Sequence, residues 1–342
     1  MNLLELTYPQ VVQLFERDYG RGEFHAAVLY RAYFNSPEFS LQQLPAFAAS
    51  PQLLCRVGRD LEMDRPAVVH QVEAEGVTKL VFRLCDGMAV ETVIIPMAHH
   101  HTVCISSQVG CRMGCRFCET ARLGLLRPLT VSEIVAQVYA VKVIMGFSLR
   151  NVVFMGMGEP LDNLDNVIQA IRVMEDQRGL NIAKRRITLS TAGLVDGIRR
   201  LAALNWPQLK LAVSLNAADD AVRSALMPVN VRHPMAELKK ALHEYPLARG
   251  NVLLIEYVLI KGINDRPEDA RQLAIYLQGL PVRLNLIAYN PRCDSALEAP
   301  RELEINDFIK HLIDQKIFVR FRRSKGSALW AACGQLGRSL MT

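Results

Sequence analysis

The chain of 342 residues lacks any apolar run approaching the ~18 residues of a membrane span, so no membrane partner is expected. Its first ten residues, Met1 to Gln10, have neither a basic cluster nor a long apolar core, so no signal peptide is expected. No internal repeat and no low-complexity tract is present, which sets aside solenoids and disordered linkers. Also missing is a second C-x2-C pair: a structural zinc site usually wants two such pairs far apart, closing four ligands. What is present is eight cysteines in a chain without an export signal, which points to a reducing, cytoplasmic setting and to metal or redox use. A net charge of +6 favours a polyanionic partner without establishing one.

The stretch around which the chain is organised is Cys111-Arg112-Met113-Gly114-Cys115-Arg116-Phe117-Cys118, spaced C-x3-C-x2-C. It follows an apolar run, Thr102 to Val109, that reads as one strand. Thiolates hold iron–sulfur clusters, and three of them ligate only three irons of a [4Fe–4S] cube. The fourth iron then stays open to a small molecule.

Residues 1–62 read as a small helical unit, with apolar residues near helical spacing from Leu3 to Phe15 and again from Ala26 to Tyr30. It serves either as packing or in substrate recognition. Residues 63–98 change to period two and β-branched residues and read as a β-rich connector of three strands, turned at Glu75-Gly76 and Asp86-Gly87. His99, His100 and His101 read as an exposed linker, since neighbouring strand residues cannot face one metal together. From residue 99 to 342 strands alternate with helices, beginning with a capping box at Thr130–Glu133. Six β/α units at this spacing predict a parallel sheet. The fold expected is α/β: an incomplete (β/α)6 barrel with the helical N-terminal domain and the short connector.

Glycine-bearing and polar sequences fall where strands have just ended: Gly156–Pro160, Ser190–Gly193, Ser214–Asn216 and Tyr289–Pro291. In β/α barrels those loops form the active face. Together with the cysteine loop they should converge on one end of the sheet, where Glu159, Ser190 and Asn290 offer partners to an amine, a carboxylate or a ribose.

The cysteine spacing is similar to the signature of radical S-adenosylmethionine (SAM) enzymes. In these the open iron chelates SAM, and one electron from the cluster splits its sulfonium to a 5′-deoxyadenosyl radical. Longer motifs go further: Cys104–Cys111, the cluster loop, Leu129–Ile134, Met155–Leu161 and Ala331–Leu336 together resemble the RlmN/Cfr family of radical-SAM RNA methyltransferases. The resemblance covers nearly the whole chain. It implies a [4Fe–4S] cluster on Cys111, Cys115 and Cys118, and SAM contacts from Gly158, Glu159, Ser190, Ser214, Leu215, Asn216 and Asn290. It implies methylation of an adenine ring carbon, C2 ahead of C8, in 23S rRNA and/or tRNA. An electron donor such as flavodoxin or ferredoxin and a thiol reductant are the further partners implied.

The chemistry implied suits these residue types. An adenine C–H carbon has no lone pair with which to attack the SAM methyl, so a methyl-bearing thioether must be activated as a radical instead. By the resemblance Cys333 carries the methyl group, Cys104 resolves the protein–RNA thioether through a transient disulfide, and Glu91 accepts the ring proton. Cys55, Cys85 and Cys293 match no functional position. Arg320, Arg322, Arg323 and Lys325 lie beside Cys333, where phosphates would be held, or form a solvated face, as Lys184–Arg186 also could. The target adenine must be unstacked or presented in a loop.

Asn216 departs from the family's frequent His, and Glu119 from a small residue. Lys325–Trp330 lacks the family's acidic residues. These departures bear on the RNA target. The competing readings are a radical-SAM enzyme for another RNA or a non-RNA substrate, and a cluster-bearing module without catalysis.

Overall fold

A computed structural model describes residues 1–291, 295–323, 326 and 329–337. Cys293 and Lys325 lie outside the described residues, as do Ser327 and Ala328 of the segment from Lys325 to Trp330. Twelve strands are seen among the described residues: β1 (Ala67–Ala74), β2 (Val77–Arg83), β3 (Ala89–Pro96), β4 (His101–Cys104), β5 (Gln108–Gly110), β6 (Leu125–Pro128), β7 (Leu149–Phe154), β8 (Ile187–Thr191), β9 (Lys210–Ser214), β10 (Leu253–Leu259), β11 (Val282–Ala288) and β12 (Val319–Phe321). Ten of them form one sheet in the order β1-β2-β3-β4-β7-β8-β9-β10-β11-β12, which is open at both ends. From β4 to β12 neighbours run parallel, while β1 to β4 pair antiparallel.

The incomplete barrel is therefore present. Its six β/α units start at β4, β7, β8, β9, β10 and β11, with the short β12 as an added parallel strand that periodicity did not reveal. The three strands between residues 67 and 96 continue the barrel sheet without a break, because Val93 to Pro96 pair with His101 to Cys104.

Helix starts follow local chemistry. Thr130 Oγ1 accepts from the Glu133 N–H (3.3 Å) and Glu133 Oε2 accepts from the Thr130 N–H (2.9 Å), the reciprocal cap that satisfies two orphan donors. The helix Val131–Tyr139 opened there continues as a π turn to Ile144. Its Tyr139 stacks on Tyr33 of the helix Glu23–Asn35, with ring centroids 5.0 Å apart, and donates its hydroxyl to the Tyr33 carbonyl (2.9 Å). Tyr8 N donates to Asp176 Oδ2 (2.7 Å), and Gly179 lies where a Cβ would come within 3.0 Å of the Tyr30 ring. The N-terminal helices and the barrel thus share one apolar core. Among the described residues no helix is long and apolar enough to cross a membrane.

Two local readings change. The run Thr102–Val109 is not one strand. It leaves the sheet after Cys104, because Ser106 replaces the ladder: its N–H donates to Gln137 Oε1 (2.8 Å) and its hydroxyl to the Glu91 carbonyl (2.7 Å). The chain then enters the separate β5–β6 hairpin. His101 is not a free linker residue either: it opens β4, half-buried, with its ring edge-on to Phe147 at 4.9 Å.

Gly110 ends β5 one residue before the cluster loop, at φ +77, and an added Cβ would sit 1.8 Å from the Gly124 carbonyl oxygen. That oxygen accepts the Cys111 N–H at 2.7 Å. Gly110→Ala should therefore cost more than about 3 kcal/mol in chemical denaturation and lower the iron bound per chain.

Candidate active site

The loops that leave β4, β7, β8, β9 and β11 at their C-terminal ends open into one cavity of about 1060 Å³, its open mouth included, with Glu256 and Val258 of β10 on its wall. Cys111, Cys115 and Cys118 form one wall. Gly158, Glu159, Ser190, Ser214, Asn216, Asn290 and Cys333 line the rest, so these expected residues are brought together. Leu215, Cys104 and Glu91 are not on the wall. Leu215 is fully buried, its N–H donating to the Glu256 carbonyl (2.9 Å). Cys104 lies at the end of β4 with 8% of its surface exposed. Glu91 is sealed at 0% exposure on β3, its carboxylate held by Lys79 (3.3 Å) and by the Gly337 N–H (2.7 Å).

The cluster loop turns at Gly114 (φ +70), packed on Pro228, and is tied down by Cys118 N to Cys115 O (3.1 Å) and Arg116 N to Leu226 O (3.0 Å). Burial pushes the Cys111 thiol up to about 12 and raises Cys115 and Cys118 as well. Such thiols ionise readily only beside a compensating positive charge, which bound iron supplies. No three His, Cys, Asp or Glu side chains among the described residues converge on a single ion. A cube asks for something else, since each thiolate binds its own iron. The donor set fits that group.

Opposite this wall, Glu159 is buried and carries two backbone bonds: Oε2 accepts from Ala192 N (2.7 Å) and Oε1 from Leu161 N (3.1 Å). Burial pushes its carboxyl up to about 7, with the Ala192 N–H the largest opposing influence. Glu256, in register with Ser214 and Asn285, also faces the cavity. Its Oε1 accepts from Asn285 (2.8 Å), whereas Oε2 has no hydrogen-bond partner among the described residues and stands 3.7 Å from the Arg322 guanidinium. Asn216 sits in the left-handed region (φ 58), which Asn tolerates. Its Oδ1 caps Val258 N (2.8 Å), and its amide meets Met227 Sδ (3.2 Å).

The segment around Cys333 enters the site over the cluster loop. Cys333 O accepts from Asn290 Nδ2 (3.2 Å), Gly334 O from Glu119 N (2.7 Å), and Leu336 O from Thr120 Oγ1 (2.7 Å). Cys333 is accessible from the cavity, yet enough protein surrounds its thiol that burial raises its pKa, with the Arg322 cation the largest influence pulling it back. Cys104 lies close enough to feel it: burial pushes the Cys104 thiol up to about 12, and the Cys333 thiolate adds to that shift.

Sequence reasoning missed the residue that holds the loops together. Arg223 is fully buried, and its guanidinium donates to Ala192 O (2.7 Å), Leu215 O (3.1 Å), Ser214 O (3.2 Å) and Asn230 Oδ1 (2.7 Å). It joins the ends of β8 and β9. Periodicity treats an arginine on a short helix as a solvated side chain, so nothing local signalled this role.

The model of the Radical SAM superfamily matches residues 105–274, the span that holds the cluster loop and the first barrel strands after it. The chain is 39% identical over 337 residues to the probable dual-specificity RNA methyltransferase RlmN 1 of Protochlamydia amoebophila, covering 98% of this chain and 94% of that one. It is 46% identical over 274 residues to the dual-specificity RNA methyltransferase RlmN of Geotalea uraniireducens, covering 80% and 78%. A crystal structure of a radical SAM methyltransferase from Sphaerobacter thermophilus superposes with a TM-score of 0.88 at 36% identity, covering 98% and 99%. The fold and the three-thiol wall thus define a radical SAM enzyme. The chain belongs to the RlmN family of radical-SAM RNA methyltransferases. Its cofactors are a [4Fe–4S] cluster and SAM.

Arg223→Met removes a donor shared by four buried acceptors and should lower unfolding free energy by roughly 3 kcal/mol. Urea unfolding checks the stability. Equilibrium dialysis should show weaker SAM binding, since the Ala192 and Ser214 loops lose their tie.

Proposed function

We propose that the protein methylates an adenine ring carbon, C2 ahead of C8, in 23S rRNA and/or tRNA, by way of a methylated Cys333. The observation that supports this most directly is the meeting of Cys333 with the three-thiol wall in one cavity, with Cys104 electrostatically coupled behind it. When bound, the cluster and SAM supply the species that abstracts a hydrogen atom. Cys111, Cys115 and Cys118 hold the cluster. Gly158, Glu159, Ser190, Ser214, Leu215, Asn216 and Asn290 position SAM, with Leu215 acting through its backbone and Glu159 facing the amine.

The chain's own sulfurs carry the methyl group. Cys333, as thiolate, takes it from one SAM and presents the thioether to the base. Arg322 is the cation that favours that thiolate. After carbon–carbon bond formation Glu91 accepts the ring proton. Cys104, as thiolate, attacks the Cys333 sulfur: the disulfide forms, the carbon–sulfur bond breaks, and its electron pair stays with the released methylene, which takes up a proton to become the methyl group on the RNA. The one electron left over from radical addition would return to the cluster. A thiol reductant resets the pair, consistent with a cytoplasmic setting. A flavodoxin- or ferredoxin-like donor supplies the electron. The relatives named above are dual-specificity RNA methyltransferases, which favours RNA as the substrate here.

Nucleoside mass spectrometry of rRNA and tRNA from cells with and without the protein tests the reaction: a methyladenosine should disappear with the gene, and identical profiles would refute it. Cys333→Ala should abolish methyl loading of the protein by SAM, read by intact mass. Cys104→Ala should still load but accumulate protein–RNA adduct on denaturing gels.

SAM affinity should also depend on pH. Below about 7 the Glu159 carboxyl is protonated and loses its attraction for the SAM ammonium; above it the carboxylate is restored. Affinity of the reconstituted protein should fall by up to about tenfold per pH unit on acidification through that range. Glu159→Gln should flatten the profile.

A further inference from the structure

Glu91 is expected to take a proton from the substrate carbon, yet it does not face the cavity. Its residue surface is 0% exposed, and it is absent from the wall that Cys333 and the cluster cysteines share. Both carboxylate oxygens are engaged. Oε2 accepts the Gly337 N–H at 2.7 Å, and Oε1 faces the buried Lys79 ammonium at 3.3 Å. A proton acceptor must approach its proton to about 3 Å, directly or through one water. This arrangement leaves no room for that.

What seals Glu91 is the methyl-carrier segment itself. Gly337 stands four residues after Cys333, and the bonds from Glu119 N to Gly334 O and from Thr120 Oγ1 to Leu336 O dock the intervening chain on the cluster loop. The Glu91–Gly337 bond closes this row from the opposite side, on β3. The position demands glycine: φ is +99, and an added Cβ would stand 2.9 Å from Leu123. A buried carboxylate accepting a backbone N–H makes a strong, charge-assisted bond, and the Lys79 ammonium on its other oxygen orients it.

We propose that Glu91 is a positioning residue for the carrier segment while Cys333 is being methylated, and that it reaches the substrate proton only after Gly337 has left it. Docking of the segment and proton acceptance at Glu91 are then mutually exclusive states of one carboxylate. The enzyme cannot present its base while the carrier is seated for loading. Departure of the segment, bearing the loaded cysteine toward the RNA, uncovers the base that the next stage needs. This inference rests on Cys333 being the methyl carrier.

Two variants of the cluster-loaded protein separate the two roles. Lys79→Met/Glu91→Met replaces the buried pair by apolar side chains of similar length, a change often tolerated in stability, and removes the acceptor of the Gly337 N–H. It should slow the methyl loading of Cys333 by SAM at least tenfold, on the order of what small misplacements cost. Hydrogen exchange in residues 331–337 should quicken to a similar degree. Glu91→Gln keeps an acceptor oxygen for Gly337. It should load within about threefold of the unmodified rate, by the same argument, yet accumulate protein–RNA adduct because its amide cannot take the proton. Loading and exchange both unchanged in the double variant would overturn the positioning role and leave the carrier assignment standing. Absence of methyl on the unmodified protein would instead refute the carrier assignment, and the exchange measurement alone would then decide whether Glu91 holds the segment.

Discussion

Two loops in this barrel occupy a space that admits no β-carbons, and the active site depends on that contact. The turn after β4 and the glycine-bearing loop after β7 are joined by their backbones and by the Ser106 hydroxyl. Gly156 N donates to Ile105 O (3.0 Å), Ser107 N to Met157 O (2.8 Å), and Met157 N to Ser106 Oγ (2.9 Å). A Cβ on Gly156 would lie 2.6 Å from the Ile105 carbonyl oxygen, and one on Gly158 would lie 2.6 Å from Gln108 Cβ. Because the first loop leads into the cluster cysteines and the second carries Glu159, this close approach sets the distance between the metal wall and the wall facing it. Gln108 completes the junction, accepting from Glu159 N (2.8 Å) and donating to Asp162 (2.9 Å).

Buried polar groups below the cavity keep that junction in one arrangement. Gln137 accepts from Thr92 Oγ1 (2.7 Å) and from Ser106 N, and donates to Ser106 O (3.0 Å), so helix, connector strand and turn share one side chain. Removing one member of such a network strands the others away from water, which is why it specifies a single geometry. Arg223 does the same on the far side of the barrel. The two networks flank the cavity, and each ties together chain ends that the β ladder alone would leave free.

The alternation of apolar strands with capped helices was legible, because period, cap and turn chemistry are local. The helices Leu164–Glu175, Asp220–Leu226, Met235–His243 and Pro267–Leu277 fall where periodicity places them. So was the convergence of the post-strand loops, since parallel β/α topology leaves them no other end. What escaped was set by distant partners. Ser106 ends a strand that its apolar neighbours would have continued, and Arg223 is buried by acceptors from the ends of β8 and β9 and from Asn230. The burial of Glu91 was not legible for the same reason, as a group 246 positions away in sequence covers it.

The departures from the family pattern acquire physical meaning in this light. Asn216 lines the cavity with its side chain already held: its Oδ1 accepts the Val258 N–H, and its backbone carbonyl accepts from Asn264 (2.8 Å). Glu119 is buried, its N–H donates to the Gly334 carbonyl, and its carboxylate meets Arg122 at 3.3 Å. Asn216 therefore ties the loop after β9 to β10, and Glu119 holds Gly334. Glu91 holds Gly337 of the same segment from β3, so two acidic residues from separate elements fix residues 334–337 beside the cluster loop.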